Sequence, residues 1–141
     1  MSLEDNKALV RSFLQKTNAE GRTQVEMCAP GVMFHVGATP AMDIRAFQDF
    51  QKAYYAAFSE TVATIEDIVA EGDRVAFRLV TRAVHTGAFM GTPASGNHIA
   101  VPVIGMAGVA GGKIAEWWNS PDRLSWMQQI GALLAPGQGN R

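Results

Sequence analysis

The chain has 141 residues, of which 48% are hydrophobic and 18% charged, and its formal net charge at pH 7 is −1. This length predicts one domain with a sizeable core, and the near balance of acidic and basic residues argues against a nucleic-acid partner. The single cysteine, Cys28, excludes an internal disulfide.

Predicted helices and one short strand fill the first part of the chain. Ser2 is expected to cap a helix that Gly21 ends, with an apolar stripe at helical spacing between them. A short helical segment over residues 23–28 then precedes a strand over residues 32–36. The next helix is expected to begin near Asp43.

Beyond residue 60 the pattern changes to long strands. Residues 61–70 and 75–85 are rich in β-branched side chains and are separated by a tight turn, which predicts a β-hairpin. Two further strands are predicted over residues 98–109 and 113–119, joined by a Gly-Gly turn.

The last predicted element is a helix that Gly131 ends. Its start combines Ser120 as the cap, Pro121 at the first helical position and Asp122 as an acid in the first turn. Helices, a meander of strands and a final helix together predict an α+β domain with helices on one face of a curved sheet.

This organisation predicts a single domain over residues 1–135, followed by a disordered tail over residues 136–141. The N-terminus mixes acidic and basic side chains without an apolar run, so no signal peptide is expected. Residues 99–112 are too short to cross a bilayer. We expect a cytoplasmic protein without a membrane partner.

Motifs for nucleophilic and cofactor-dependent chemistry are missing from the sequence. It has no nucleophile elbow, Walker loop or dinucleotide fingerprint, and Gly105 and Gly108 fall inside a predicted strand, where they mark bends. Cys28 has apolar neighbours and no adjacent base, which predicts a buried, inert thiol. Cofactor-free acid/base catalysis is the enzyme class left open, with no metal and no cofactor expected.

Asp122 is the most informative acid. As a residue of a helix start, it would interact favourably with the helix dipole and need no other role. Alternatively, Trp117 and Trp118 before it and Trp126 one turn after it would wall the carboxylate, and such a desolvated carboxylate is a stronger base once ionised. The sequence leaves both interpretations open.

Two histidines are candidates for a supporting role. His35 lies in a short apolar strand and His85 ends a long one, where each could simply bond to the backbone. Together they could instead lie near the mouth of one cavity and donate hydrogen bonds to a carbonyl oxygen that gains negative charge.

Apolar side chains are available to line a pocket. Alternate residues of strand 75–85 place Phe77 on one face and Arg78 and Arg82 on the other, and the arginines are expected to face solvent or a partner subunit. The expected substrate-binding residues are Trp118, Tyr54, Phe58, Phe77 and Met106.

Several segments of the chain carry a family resemblance. They are residues 65–76, 85–91, 111–118 and 129–131, together with the spacing Trp118-x-x-x-Asp122. In this order they resemble the SnoaL-like polyketide cyclase family of the NTF2-like superfamily.

The resemblance implies a cone, in which a strongly curved antiparallel or mixed sheet wraps around N-terminal helices and a C-terminal helix follows. It also implies an apolar pocket and a homodimer. In the family's cyclases the aspartate at the Trp-x-x-x-Asp position is the acid/base of an intramolecular aldol ring closure, without a cofactor. By position, Asp122 would be that group, with His35 and His85 as supporting polar groups.

The expected function is therefore cyclisation, or related isomerase or lyase chemistry, on a small hydrophobic carbonyl compound. One alternative is a non-catalytic domain that binds a small hydrophobic ligand or dimerises. A second alternative is a hydratase or epoxide hydrolase on the same fold, to which Arg78 would contribute.

Overall fold

The computed structural model describes residues 2–133. Within them, the helices and strands are α1 (Leu3–Glu20), β1 (Cys28–Val36), α2 (Ile44–Ala57), β2 (Phe58–Glu71), β3 (Arg74–His85), β4 (His98–Ala110), β5 (Lys113–Pro121) and α3 (Arg123–Gln129). A single 3-10 turn, Val25–Met27, precedes β1.

The five strands form one mixed sheet in the order β1-β5-β4-β3-β2. β1 runs parallel to β5, whereas the other neighbours are antiparallel. The sheet is not closed, and α1 and α2 pack against its inner face. This arrangement confirms the predicted α+β fold of the NTF2-like type.

The first two helix starts are confirmed in atomic detail. The Ser2 hydroxyl accepts from the Asp5 backbone N–H at 3.0 Å, and the Asp5 carboxylate accepts from the Ser2 N–H at 3.1 Å. Gly21 ends α1 with φ at 65°, a left-handed conformation that suits glycine. The Asp43 carboxylate caps α2 by accepting from the Ala46 N–H at 2.8 Å.

The first strand begins earlier than predicted. β1 starts at Cys28, whose partner on β5 is Ile114, and the pairing shifts register before Met33. The irregularity accommodates Pro30, which has no N–H to contribute to the ladder. The predicted strand over residues 32–36 is therefore the regular end of a longer one.

The start of the last helix also differs from the prediction. Pro121 is still paired with Val103 of β4, and the Asp122 N–H donates to the Pro102 carbonyl at 2.9 Å. Strand pairing thus continues past Ser120, and the capping residue is Asp122 itself. Local helix signals correctly predicted the helix, but cross-strand pairing moved its first turn.

Alternation along β3 assigns its two faces. Phe77 and Leu79 are buried on the inner face. Arg78 lies on the outer face, where its guanidinium bonds to Asp67 at 2.6 Å and Glu66 at 2.7 Å. The arginine face therefore points away from the helices.

A smaller apolar cluster surrounds α3. Trp126 and Ile130 pack there with Phe58 and Phe89. Gln129 attaches this helix to the sheet, because its side-chain amide both accepts from the Ala100 N–H at 2.7 Å and donates to the Ala100 carbonyl at 2.9 Å.

Among residues 2–133, no helix combines the length and the hydropathy needed to cross a lipid bilayer. The predicted tail over residues 136–141 lies outside the described residues, as do the last two residues of the predicted domain, 1–135.

Candidate ligand cavity

A cavity of about 160 Å³ lies between the helices and the inner face of the sheet. The side chains that line it come from every helix and strand of the domain. They are Phe13, Leu14, Thr17, Asn18, Thr23, Val36, Phe47, Phe50, Gln51, Tyr54, Tyr55, Thr61, Ala63, Phe77, Leu79, Thr81, Ile99, Val101, Val103, Trp117, Asn119, Pro121 and Trp126.

The β-strand period of two determines which residues of β5 reach the cavity. Trp117, Asn119 and Pro121 line it, whereas Glu116 and Trp118 do not. Asn119 is therefore a polar residue set between two apolar ones on the inner face. The sequence prediction did not include Asn119, although its spacing of two from a buried tryptophan was the available signal.

Two polar groups in the wall have partners within the fold. The Asn18 side chain forms two 2.9 Å hydrogen bonds with the backbone of Ala63 on β2. The Gln51 side-chain oxygen accepts from the Thr23 hydroxyl at 2.8 Å and from the Thr23 N–H at 3.0 Å. These groups stabilise the wall, because buried polar groups are costly unless they are paired.

Tyr54 supplies a neutral hydroxyl at the cavity. Burial raises its pKa to about 12, although a hydrogen bond from Thr61 opposes part of that rise. The pKa of the neighbouring Tyr55 is also raised by burial. Both phenols consequently remain protonated at neutral pH, and neither can act as a base there.

Two polar atoms of the lining residues have no hydrogen-bond partner among residues 2–133. They are the Asn119 Oδ1 and the Trp126 Nε1, and both are buried. Trp126 is only 8% exposed, and its ring stacks on Phe89 at 5.0 Å. An unpaired buried donor and acceptor at a cavity are the groups that a bound molecule would satisfy.

The chemistry of the lining is neutral. Apart from the two protonated tyrosines, its described side chains include no aspartate, glutamate, histidine, lysine or arginine. The lining is mainly aliphatic and aromatic, which suits an uncharged and largely apolar ligand.

Asp122 does not line this cavity. It is exposed, and its Oδ1 accepts from the Ser125 N–H at 3.0 Å as the cap of α3. Its neighbours along the chain include Pro121 and, one turn later, Trp126, which both line the cavity. Of the three tryptophans expected around the carboxylate, Trp117 and Trp126 line the cavity, whereas Trp118 lies on the other face of the sheet and stacks on His35.

His35 and Trp118 belong to the outer face of the sheet. The His35 Nε2 lies 2.6 Å from the Glu116 carboxylate, and its ring stacks on Trp118 with centroids 5.2 Å apart. The Arg74 guanidinium covers the same indole at 5.1 Å. The expected location of both residues at the pocket is thus corrected, because strand alternation turns them away from it.

His85 is fully buried but does not line the cavity. Its Nδ1 lies 3.1 Å from the Ser95 N and 2.9 Å from the Ser95 hydroxyl oxygen. The imidazole stacks on Phe58 at 5.1 Å. The Phe58 ring in turn contacts the Trp126 ring, with centroids 5.7 Å apart. Phe58 therefore packs against a residue that lines the cavity but does not line the cavity itself.

Among the remaining predicted pocket residues, Tyr54 and Phe77 do line the cavity. Met106 does not, because it lies on the outer face and is 40% exposed. The structure therefore does not bring Asp122, His35 and His85 together: each bonds to a different partner in a different place.

Within the described residues, no group of three or more His, Cys, Asp or Glu side chains could hold a metal ion. The thiol of Cys28 is buried, and desolvation raises its pKa to about 11.

Comparison with known proteins gives one family match. The sequence profile of the SnoaL-like polyketide cyclase family matches residues 8–130. No curated protein matches the chain.

Solved structures share the fold over most of the chain. IdmH, a candidate polyketide cyclase from Streptomyces antibioticus, is 27% identical with a TM-score of 0.80, covering 89% of this chain and 98% of its own. AclR, a candidate hydroxylase from Streptomyces galilaeus, is 21% identical with a TM-score of 0.84, and the match covers 95% of this chain and 85% of AclR. A candidate SnoaL-like polyketide cyclase from Jannaschia sp. CCS1 is 22% identical with a TM-score of 0.82, and the match covers 93% of this chain and 94% of the Jannaschia protein.

Proposed function

The chain belongs to the SnoaL-like polyketide cyclase family, and from this premise we propose that it is a cofactor-independent cyclase or isomerase. Its substrate is a small hydrophobic carbonyl compound that binds in the cavity. The observation that carries this proposal is an apolar, uncharged cavity with a carboxylate, Asp122, on the chain segment between two of its lining residues, Pro121 and Trp126.

Asp122 is the acid/base in this proposal. The described wall contains no carboxylate or imidazole, and Tyr54 with a pKa of about 12 stays protonated. The capping bond to Ser125 uses Oδ1, which leaves Oδ2 to take a proton from a molecule that reaches it. The resemblance of Trp118-x-x-x-Asp122 to the spacing in the family's cyclases implies the same role for Asp122.

The proposed reaction balances without a cofactor. Asp122 removes a proton from a carbon between two carbonyl groups, and the resulting carbanion is delocalised onto their oxygens. That carbon then attacks the carbon of a third carbonyl group in the same molecule, and the C=O π bond opens to an alkoxide as the new C–C bond forms. The alkoxide takes the proton back from Asp122, so the carboxylate is regenerated. Neither His35 nor His85 contacts the cavity, and the proposal gives them no direct part in proton transfer.

Replacing Asp122 with Asn tests this assignment. Asn also caps helices well, so α3 should keep its start. Asp43→Asn is the matched control, because Asp43 caps α2 in the same way. General-base catalysis contributes about 10²- to 10⁴-fold, so Asp122→Asn should slow proton exchange of 1,3-dicarbonyl compounds, followed by NMR in D₂O, by at least about 100-fold. An unchanged rate in this variant would refute the assignment.

A non-catalytic ligand-binding domain is the second candidate. It is favoured by the exposed, capping position of Asp122, which gives this residue a sufficient structural role. The same NMR experiment distinguishes the candidates. Ligand binding without any proton exchange by the unmodified protein would support the binding domain.

The hydratase and epoxide hydrolase alternative loses its main support. Such chemistry needs ionisable groups inside the cavity to activate water, and Arg78 lies outside, paired with Asp67 and Glu66. We do not propose it.

We also propose that two copies of the chain pair through the outer face of the sheet. Ile104 is 64% exposed there, and Met106 and Trp118 pair across β4 and β5 beside it. Charges of both signs border this apolar patch, including Arg78 and Glu116. A patch with an apolar centre and a rim of both charges can be self-complementary about a two-fold axis. Ile104→Arg should convert a dimer, measured by light scattering, into a monomer.

A further inference from the structure

Two residues that line the cavity each carry a buried polar atom, one a donor and one an acceptor, that has no partner in the described part of the fold. Trp126 Nε1 is only a hydrogen-bond donor, whereas Asn119 Oδ1 is an acceptor on an amide that also carries donors. Both residues line the cavity, and Trp126 is more than nine-tenths buried. In the neighbouring wall residues, both polar side-chain atoms of Asn18 are paired and the Gln51 Oε1 accepts two hydrogen bonds, so the two unpaired buried atoms differ from them.

Three aromatic rings pack against the Trp126 indole and hold it in place. The rings of Tyr54, Phe58 and Phe89 surround it at centroid distances between 5.0 and 6.1 Å. The main chain of Asn119 is fixed by its strand, since it pairs with Gly105 of β4. The indole and the Asn119 backbone therefore occupy set positions before a ligand arrives, which lowers the entropic cost of binding.

The size of the cavity limits what can occupy it. Its volume of about 160 Å³ is close to that of a cavity of about 150 Å³ that holds benzene. Sites for larger, drug-sized ligands usually measure about 300–1,000 Å³. A single ring with short substituents fits this volume, whereas fused three- or four-ring systems do not.

The charge of the ligand is limited as well. Since the described wall contains no lysine, arginine or histidine, a carboxylate or phosphate would be buried there without a positively charged partner. Burying an unpaired charge is strongly unfavourable.

From these observations we infer that the cavity selects a neutral, single-ring-sized compound and recognises two of its oxygen functions. A carbonyl oxygen accepts from the Trp126 Nε1–H, and a hydroxyl group donates to the Asn119 Oδ1. Trp126 and Asn119 are thus the specificity-determining residues of the site. This inference rests on the proposed function of the cavity as the substrate site and adds the size, charge and polar pattern of the ligand.

The predicted ligand preference is tested by isothermal titration calorimetry, which measures the affinity of the unmodified protein for a set of probes. The reference probe is 4-hydroxyacetophenone. Acetophenone lacks the hydroxyl and phenol lacks the carbonyl, so each should bind about 3- to 10-fold more weakly, the factor expected for one neutral hydrogen bond. The charged 4-hydroxybenzoate and the fused-ring 1-hydroxyanthraquinone should show no binding.

The protein side is tested with three variants. Asn119→Leu should weaken 4-hydroxyacetophenone about 3- to 10-fold and leave acetophenone unchanged, whereas Trp126→Phe should weaken acetophenone and leave phenol unchanged. Asn6→Leu is the matched control: the Asn6 Oδ1 is also buried and unpaired, but Asn6 does not line the cavity. The Asn6→Leu variant should bind 4-hydroxyacetophenone with the same affinity as the unmodified protein.

Two results would overturn the inference. One is binding of 1-hydroxyanthraquinone or 4-hydroxybenzoate at least as tight as that of 4-hydroxyacetophenone. The other is unchanged 4-hydroxyacetophenone affinity in folded Asn119→Leu and Trp126→Phe variants. If thermal melting shows that a variant is unfolded, the probe comparison with the unmodified protein decides alone.

The outcomes separate this inference from the proposed function. Selective binding of the single-ring probes without proton exchange on any 1,3-dicarbonyl compound would refute the enzyme and leave the inference standing. Exchange that depends on Asp122, together with preferred binding of the fused-ring probe, would refute the inference and leave the enzyme standing.

Discussion

Gly105 of β4 is the position where a single added methyl group should reshape the cavity. A Cβ at this residue would lie 2.4 Å from the Phe77 Cζ and 2.6 Å from the Trp118 carbonyl oxygen. Carbon atoms in contact are normally about 3.5–4.0 Å apart. The added methyl group would therefore overlap its neighbours by about 1 Å. To relieve this overlap, the Phe77 ring at the cavity and the β5 backbone at Trp118 would both have to move.

The backbone contact determines the size of the effect. The Trp118 carbonyl belongs to β5, whose pairing with β4 includes the neighbouring Met106, so it cannot move without disturbing the sheet. Overpacking costs about 1–3 kcal/mol, and we expect Gly105→Ala to lie in the upper half of that range. For a domain of this size, the corresponding decrease in Tm is roughly 6–12 °C. The Phe77 ring would also move, so 4-hydroxyacetophenone should bind more weakly.

Gly108, on the same strand, provides the control. The nearest atom to an added Cβ there is the Arg74 Nη1 at 3.5 Å, an ordinary contact with the end of a flexible side chain. Gly108→Ala should therefore leave Tm unchanged or raise it slightly, because alanine reduces the entropy of the unfolded chain. Thermal unfolding followed by circular dichroism compares the two variants. Equal Tm values for both would show that the reasoning about Phe77 and Trp118 is wrong.

Three further predictions concern other parts of the domain. Burial raises the pKa of the Cys28 thiol from 9.0 to about 11, so at pH 8 the native thiol should react with iodoacetamide at least about 100-fold more slowly than in the unfolded chain. Since the unfolded thiol ionises near pH 9 and the folded one only near pH 11, the free energy of unfolding should fall through that window in the unmodified protein and less in Cys28→Ala. Because the Tyr54 pKa is about 12, the ultraviolet titration of tyrosinate should lose its highest step in Tyr54→Phe; loss of a step near pH 10 instead would contradict the burial argument. Gln129→Leu removes two hydrogen bonds to Ala100 and should lower the free energy of unfolding by about 1–2 kcal/mol in a urea titration, whereas an unchanged midpoint would show that these bonds contribute nothing.

The helices and strands were predictable because their signals are local. Ser2 and Asp43 cap their helices through side chains three residues from the N–H groups that they bind, and the tight turn after β2 lies within a few residues of both strands. Boundaries were less predictable where a distant partner decides them. Cys28 joins β1 because Ile114 lies beside it, and Pro121 stays in β5 because Val103 does.

The candidate site shows the same division. Sequence alone determined that the chain has a net charge of only −1, that it has the α+β order of the SnoaL-like family and that Asp122 follows the last strand, because composition, periodicity and motif order are properties of the chain itself. The side of the sheet on which each residue lies was decided by the tertiary structure. A shift of one position along β5 separates Asn119 at the cavity from Trp118 on the outer face, and the register that sets this difference arises from pairing with β4 and β1.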